Sequence, residues 1–245
     1  MDARLHLAVD AAAVFRGNGD GKHPSTVSVA LLAELAGADC ISYDLRSSDR
    51  AEAERDARLL RACIGGQLDI VVASGPDLMD LAFSMRPDRL TLAPERRDGG
   101  LALGGLDAHM LRDSLRKQIL HLRDAGMVTG VRVQPELEQV KALHRAEADV
   151  CVLNCDAYAR ATGSTAKTAE ATRVSDAASL AQRLGLRVAI VGDLDLAGVE
   201  HLAQSPHIHE FHVGHACLAR GMLRGIETSV ADFAKAIDRG RRRAF

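Results

Sequence analysis

Two short stretches, "IVGD" (190–193) and "HVGH" (212–215), place glycine beside an ionisable residue where a β-prone run ends. In the second, the helix-friendly "HACLARG" follows at once. A strand that stops at glycine and turns into a helix lets backbone N–H groups approach an anion, and the positive end of the helix favours it. Gly192, Gly214 and His215 are therefore candidates for a phosphate cradle. Asp193 complicates it, because a carboxylate repels phosphate; it must point away, be paired or share a metal. The ends of the other β-prone runs carry Asp10, Asp44 with Arg46, Ser74, Glu95 with Arg96, Gln134, and Asn154 with Asp156. Asp44, Asp10 and Asp193 are the candidate proton-transfer groups. Arg16 and Arg46 are candidate anion clamps, since the guanidinium fork matches phosphate oxygens. The competing reading is plain: strand ends are polar because they meet water, and Arg16 and Arg46 form surface pairs with Asp20 and Asp49.

These residues need a scaffold that brings strand ends together. The chain repeats one phrase, a short apolar run, a polar turn and a longer amphipathic stretch. Strands are predicted at 4–10, 39–46, 68–74, 88–95, 129–136, 149–155, 186–193 and 209–216. Helices are predicted at 23–38, with Leu31, Leu32 and Leu35 on one stripe, and at 49–64, 76–86, 109–126 and 136–148. The polar stretch 158–185 ends in a helix, a short helix covers 197–203, and a last one runs to about Gly240. Eight strands each followed by a helix predict a parallel sheet covered on both faces. At 245 residues this fits a (β/α)8 TIM barrel spanning 1–245 as one domain, with its site at the C-terminal strand ends. A doubly wound open sheet is the runner-up. The Gly-rich "RRDGGLALGGLDA" (96–108) is too long for a plain turn and is a candidate lid or an ordinary loop. The basic tail "RGRRRAF" is expected to be a solvated helix end.

Composition narrows the partners. A formal charge of -2 gives no bulk signal for nucleic acid or an anionic membrane. Aromatics at 3% with no Trp argue against a carbohydrate cleft or a base-stacking platform. No apolar run reaches transmembrane length and "MDARLHLAVD" lacks a signal-peptide pattern, so a cytoplasmic location is expected. Of the cysteines, Cys151 and Cys155 are four apart, which is not a zinc or redox spacing; buried reduced thiols are the expectation.

Read in order, "VDAAAVFRGNGDG", "AELAGADCISYDLR", "LAPERR" followed by "GGLD", "LHLRDAGM", "AQRLGLRV" and "HEFHVGHACLARG" resemble the pyridoxine 5'-phosphate synthase family over nearly the whole chain. The resemblance implies a barrel that joins deoxyxylulose 5-phosphate to an amino-acetone phosphate, and assembly into oligomers of dimers. Asp10, Arg16, Arg46, Gly214 and His215 match family positions; by resemblance the arginines bind substrate oxygens, and Gly214 and His215 hold the product phosphate. The family's proton-transfer positions fall instead on Ala8, Ala11, Asp44, Ala51, Val71, Val152 and Gly192, and its closing-loop threonines on Leu101 and Ala102. Alanine, valine and glycine cannot transfer a proton.

Three readings follow: a divergent enzyme acting through the carboxylates, a non-catalytic paralogue that binds a metabolite or partners a synthase subunit, and the family reaction retained through Asp44. The expected partners are a phosphorylated small molecule and further copies of the chain, with no nucleic acid and no membrane. No cofactor is expected; the carboxylates would suit Mg2+ or Mn2+, but no spacing motif supports a metal.

Overall fold

A computed structural model describes residues 3–18, 21–45, 50–73, 76–94 and 104–243. Its eight strands are β1 (Arg4–Ala8), β2 (Cys40–Leu45), β3 (Gln67–Ala73), β4 (Arg89–Ala93), β5 (Val128–Val133), β6 (Val150–Asn154), β7 (Arg187–Val191) and β8 (Glu210–Val213). They close into a barrel in chain order, every neighbour parallel, with β8 pairing back to β1 through Leu5–Phe211 and His6–His212. This is the predicted (β/α)8 barrel.

The closed parallel sheet explains the strand composition. Side chains alternate between faces with a period of two. Leu5 and Leu7, Ile41 and Tyr43, and Ile70 and Val72 point out and join one large core with the helices. The opposite phase fills the barrel. On β6 and β7 that phase is apolar, and Val150, Val152, Ala189 and Val191 form a separate small cluster. On β1, β3, β4 and β8 it carries His6, Asp69, Arg89, Thr91, Glu210 and His212, all buried. The barrel thus holds an apolar sector and an ionic sector.

The surrounding helices are α1 (Asp10–Gly17), α2 (Thr26–Leu35), α3 (Arg50–Cys63), α4 (Pro76–Ser84), α5 (Arg112–Asp124), α6 (Leu137–Arg145), α7 (Asp156–Arg160), α8 (Ser164–Arg183), α9 (Leu196–Leu202), α10 (His215–Arg224) and α11 (Ile226–Arg243). Several depart from the sequence expectation. The stretch after β1 is a helix of its own, α1, because "DAAAVFRG" is rich in helix-forming alanine. On α2 the leucine stripe faces out: Leu35 is 81% exposed, whereas Ala30 and Ala33 are buried. The small residues let α2 lie close to the barrel. The polar stretch after β6 is helical from Ser164 onward. The last helix is two, divided at Gly225, which takes φ 82° between α10 and α11. The basic tail is docked as well as solvated: Arg241 donates to the carbonyls of Ala203, Ser205 and Ile208, and Arg239 and Arg243 pair with Glu200. Cys40, Cys151, Cys155 and Cys217 are free and buried as expected, but Cys63 is exposed. Of the candidate lid, 96–103 lies outside the described residues; Gly105 and Leu106 run along β5, with Leu106 N donating to Arg132 O at 2.8 Å. No helix among the described residues is long and apolar enough to cross a membrane.

The seating of α11 on α9 depends on one missing methyl. A Cβ on Gly240 would lie 2.3 Å from the Glu200 carbonyl oxygen and 2.6 Å from the Ala203 Cβ. Gly240→Ala is expected to lower stability by about 1–3 kcal/mol in urea unfolding. Gly17→Ala, at a position with no atom within 4 Å of the added methyl, is the control and leaves the midpoint unchanged or slightly raised.

Candidate functional site: the C-terminal mouth of the barrel

At the C-terminal strand ends a cavity of about 60 Å3 opens to solvent, room for a few water molecules. Asp10 at the start of α1, Asp44 near the end of β2, and Asp193 after β7 reach it from three directions. Gly192, Gly214 and His215 complete that rim, so these six sequence candidates meet at one place. Three polar side chains that the strand ends did not reveal also line it: Ser42 from β2, Arg132 from β5, only 4% exposed, and His212 from β8, at the floor. Ala8, Ala11 and Val71 give the wall its apolar patches.

The glycines are required by close approach. A Cβ on Gly214 would stand 3.1 Å from the Ala8 Cβ, and one on Gly192 would stand 3.1 Å from the Cys155 carbonyl carbon. Larger residues would push β7 and β8 away from their neighbours and fill the mouth. Gly214 is also the N-cap of α10 and brings no side-chain acceptor. The first bond of that helix closes from Leu218 N to Gly214 O, so the N–H groups of its first turn are left to other acceptors. Asp193 is held beside His215, Oδ1 to Nδ1 3.5 Å, both about half exposed. A second, larger cavity lies on the other side of that pair, lined by Tyr158, Lys167 and Asp195.

Other candidates lie elsewhere. Arg16 is buried on α1 away from the cavity, with Nε 2.7 Å from Glu52 and Nη2 2.6 Å from Asp56. These α3 carboxylates are its partners among the described residues. Asp20, Arg46, Asp49, Ser74, Glu95 and Arg96 lie outside the described residues. Asn154 accepts from the Asp156 N–H at 3.2 Å, and Asp156 pairs with Arg160 at 3.4 Å; neither acid nor amide lines the cavity.

Beneath the cavity lies the ionic sector. Arg89 donates from Nε and Nη2 to Asp69 at 2.9 and 2.7 Å, and from Nη1 to Glu210. Its Nη2 also meets His6 Nδ1 at 3.0 Å and His212 Nε2 at 3.1 Å, and the two imidazoles stack at 4.4 Å. Thr91 donates to Asp69 at 2.8 Å. Burial would raise the Glu210 carboxyl, but contact with His212 and the Arg89 charge outweigh it and hold it far below the usual carboxylate range. His6 and His212 are pushed the other way: burial, with Arg89 beside them, holds both well below the ordinary imidazole value.

His6, Glu210 and His212 bring ligand atoms within 4.8 Å of one another, the only such cluster among the described residues. Two imidazoles and a carboxylate would suit a first-row transition metal, but the Arg89 guanidinium already touches all three and supplies the cation there. Asp10, Asp44 and Asp193 form no comparable cluster. The sequence signal for this layer is a polar residue at the inward phase of an apolar strand, as in "RLHLA", "LDIVV" and "RLTLA".

Fold and site together define a (β/α)8 barrel with a cavity at the C-terminal strand ends on which three carboxylates meet. Similar barrels include tryptophan synthase from M. tuberculosis (TM-score 0.64, 11% identity, covering 96% of this chain and 92% of that one). Another is N-(5'-phosphoribosyl)anthranilate isomerase from Pyrococcus furiosus (TM-score 0.59, 14% identity, 96% and 98% covered). At those identities they speak for the fold alone. Residues 5–239 match the family model described as pyridoxal phosphate biosynthesis protein PdxJ. The chain is 33% identical over 230 residues to the pyridoxine 5'-phosphate synthase of Geotalea daltonii, covering 94% of this chain and 96% of that protein. It is 34% identical, with the same coverage, to that of Syntrophotalea carbinolica. The chain belongs to the PdxJ family.

Two predictions come from the ionic sector. Arg89→Met strands two buried carboxylates, so it is expected to cost about 3–5 kcal/mol near neutral pH. The gap to the parent narrows as pH falls, because Asp69 and Glu210 can then protonate; urea midpoints at two pH values measure it. In the parent, His6 and His212 stay neutral when folded but take up protons when unfolded. Stability is therefore fully present above the unfolded imidazole value of about 6.5 and falls as pH drops below it, by up to roughly 1.4 kcal/mol per pH unit per histidine. Half-buried His209, also lowered, acts in the same sense. His6→Asn is expected to remove one proton's share of the slope in urea midpoints between pH 7 and 5.

Proposed function

We propose that this chain is a pyridoxine 5'-phosphate synthase-like protein that binds a phosphorylated small molecule at the barrel mouth, with the family condensation altered and proton transfer assigned to Asp44, Asp10 and Asp193. The observation that carries the reading is the convergence of those three carboxylates with Gly192, Gly214 and His215 on one open cavity. A decayed mouth would be packed with apolar side chains. Here apolar residues stand at Ala8, Ala11 and Val71, but three carboxylates, Arg132 and His215 still reach the space they leave, and it stays open.

The phosphate is assigned to the α10 N-terminus. There the backbone dipole and first-turn N–H groups offer donors without adding bulk, His215 stands at the rim, and pairing with His215 draws the Asp193 charge aside. The rest of the ligand then extends toward Asp44 and Asp10. A carboxylate in a partly desolvated wall can accept a proton from carbon or nitrogen and return it to a leaving oxygen, the transfers that imine formation and water loss require. Arg16, held by Glu52 and Asp56, is assigned to positioning α1 and with it Asp10.

Purified protein incubated with deoxyxylulose 5-phosphate and amino-acetone phosphate tests the reading. Phosphate release and pyridoxine 5'-phosphate are followed together, and thermal shift reports binding of each compound. The expected result is clear stabilisation by a phosphorylated compound, with any turnover falling about 10²–10⁴-fold in Asp44→Asn while binding is kept. Turnover indifferent to Asp44→Asn overturns the assignment of chemistry. No stabilisation by any of these compounds removes the ligand class and leaves the non-catalytic partner reading in front.

A further inference from the structure

His212 is absent from the strand-end candidates, yet it links the buried ionic sector to the cavity. It lines the cavity floor while its ring is packed against His6 and Arg89. The guanidinium never gives up a proton, so every one of its nitrogens presents N–H. Two N–H groups cannot face each other at 3.1 Å. The His212 Nε2 facing Arg89 must therefore be the lone-pair nitrogen, and the same holds for His6 Nδ1 at 3.0 Å. A neutral imidazole with Nε2 as acceptor carries its proton on Nδ1. That Nδ1 makes no hydrogen bond within the described protein, and it is not among the enclosed polar atoms left without a partner. Among the described residues His212 lines the cavity, and Nδ1 is the ring nitrogen left to face it.

We infer that His212 is a ligand-contacting residue that presents a neutral Nδ1–H donor to a carbonyl or phosphate oxygen of the molecule bound in the mouth. The inference rests on the ligand class proposed above and adds the floor contact to it. Arg89 presents N–H to Nε2 at 3.1 Å, His6 covers one face, and Asp69 locks Arg89. Glu210, 3.6 Å from the same nitrogen, is the one neighbour that favours a proton there, and it is farther away and itself paired to Arg89. A neutral donor polarises an oxygen, and it is not neutralised by Asp10 or Asp44 on the same cavity.

Long-range proton–nitrogen spectra of nitrogen-15 histidine-labelled protein test the tautomer without any ligand. The expected result is Nδ1-protonated, Nε2-acceptor His212 with no titration between about pH 5.5 and 8.5; an Nε2–H tautomer, or titration in that range, overturns the inference. Titration with pyridoxine 5'-phosphate, and separately with inorganic phosphate, tests the contact. Binding to the parent is expected to move the His212 Nδ1 signal. His212→Leu is expected to weaken pyridoxine 5'-phosphate about five- to tenfold, the effect of one hydrogen bond, with His212→Asn losing less. Binding that leaves the Nδ1 signal in place and His212→Leu unimpaired sinks the contact but not the ligand class. Failure of both probes to bind the parent protein sinks the ligand class, and the contact with it. If His212→Leu does not fold, the signal shift in the parent decides.

Discussion

A guanidinium in the middle of a closed barrel sets the terms for everything around it. Arg89 cannot shed its charge, and removing it from water without compensation would cost several kcal/mol. Asp69 and Glu210 supply two negative charges, and the two imidazoles supply lone pairs. These partners come from β1, β3 and β8, while Arg89 lies on β4. The arrangement therefore fixes register across non-adjacent strands. A slip of one residue on any of them would swing its polar group out among the leucines of the helix-facing core.

The same constraint divides the interior. Strands β6 and β7 contribute only apolar inward residues at the matching height, Val150, Val152 and Ala189. Between the two sectors, β5 carries Gly130, where an added Cβ would stand 2.6 Å from the Thr91 hydroxyl that serves Asp69. The ionic sector needs that room, and glycine provides it. Higher up, the β5 inward position passes to Arg132 and the cavity begins. The mouth is thus the upper end of a polar column that starts at the barrel floor.

Much of this was legible in the sequence and part of it was not. The alternation of apolar runs and amphipathic stretches predicted the barrel because each strand needs two covered faces. The strand-end residues Asp10, Asp44, Gly192, Asp193, Gly214 and His215 could be read because glycine and carboxylates are conspicuous at the end of an apolar run. The surroundings of Arg16 could not be read, because its partners Glu52 and Asp56 lie some forty residues away on α3, a distance no local pattern spans. His6, Asp69, Arg89, Glu210 and His212 were hidden for the opposite reason. Each is a single polar residue inside an apolar strand, and only barrel closure brings β1 beside β8 and turns five isolated residues into one network.

The polar column also bears on how a carboxylate-rich mouth accepts an anion. Asp10, Asp44 and Asp193 all oppose a phosphorylated ligand, and any mobile cation near them would be drawn to them first. Donors that carry no net charge escape this competition. The first-turn N–H groups of α10 are fixed by the helix, and the His212 imidazole is kept neutral by burial and by the guanidinium behind it. Such groups stabilise negative oxygen through orientation, which is most effective where water is excluded and the donors need not reorganise. On the proposed contact the buried cation would contribute to ligand binding without touching the ligand: burial and Arg89 together keep His212 neutral, and a neutral His212 would be the donor that the acidic mouth cannot titrate away.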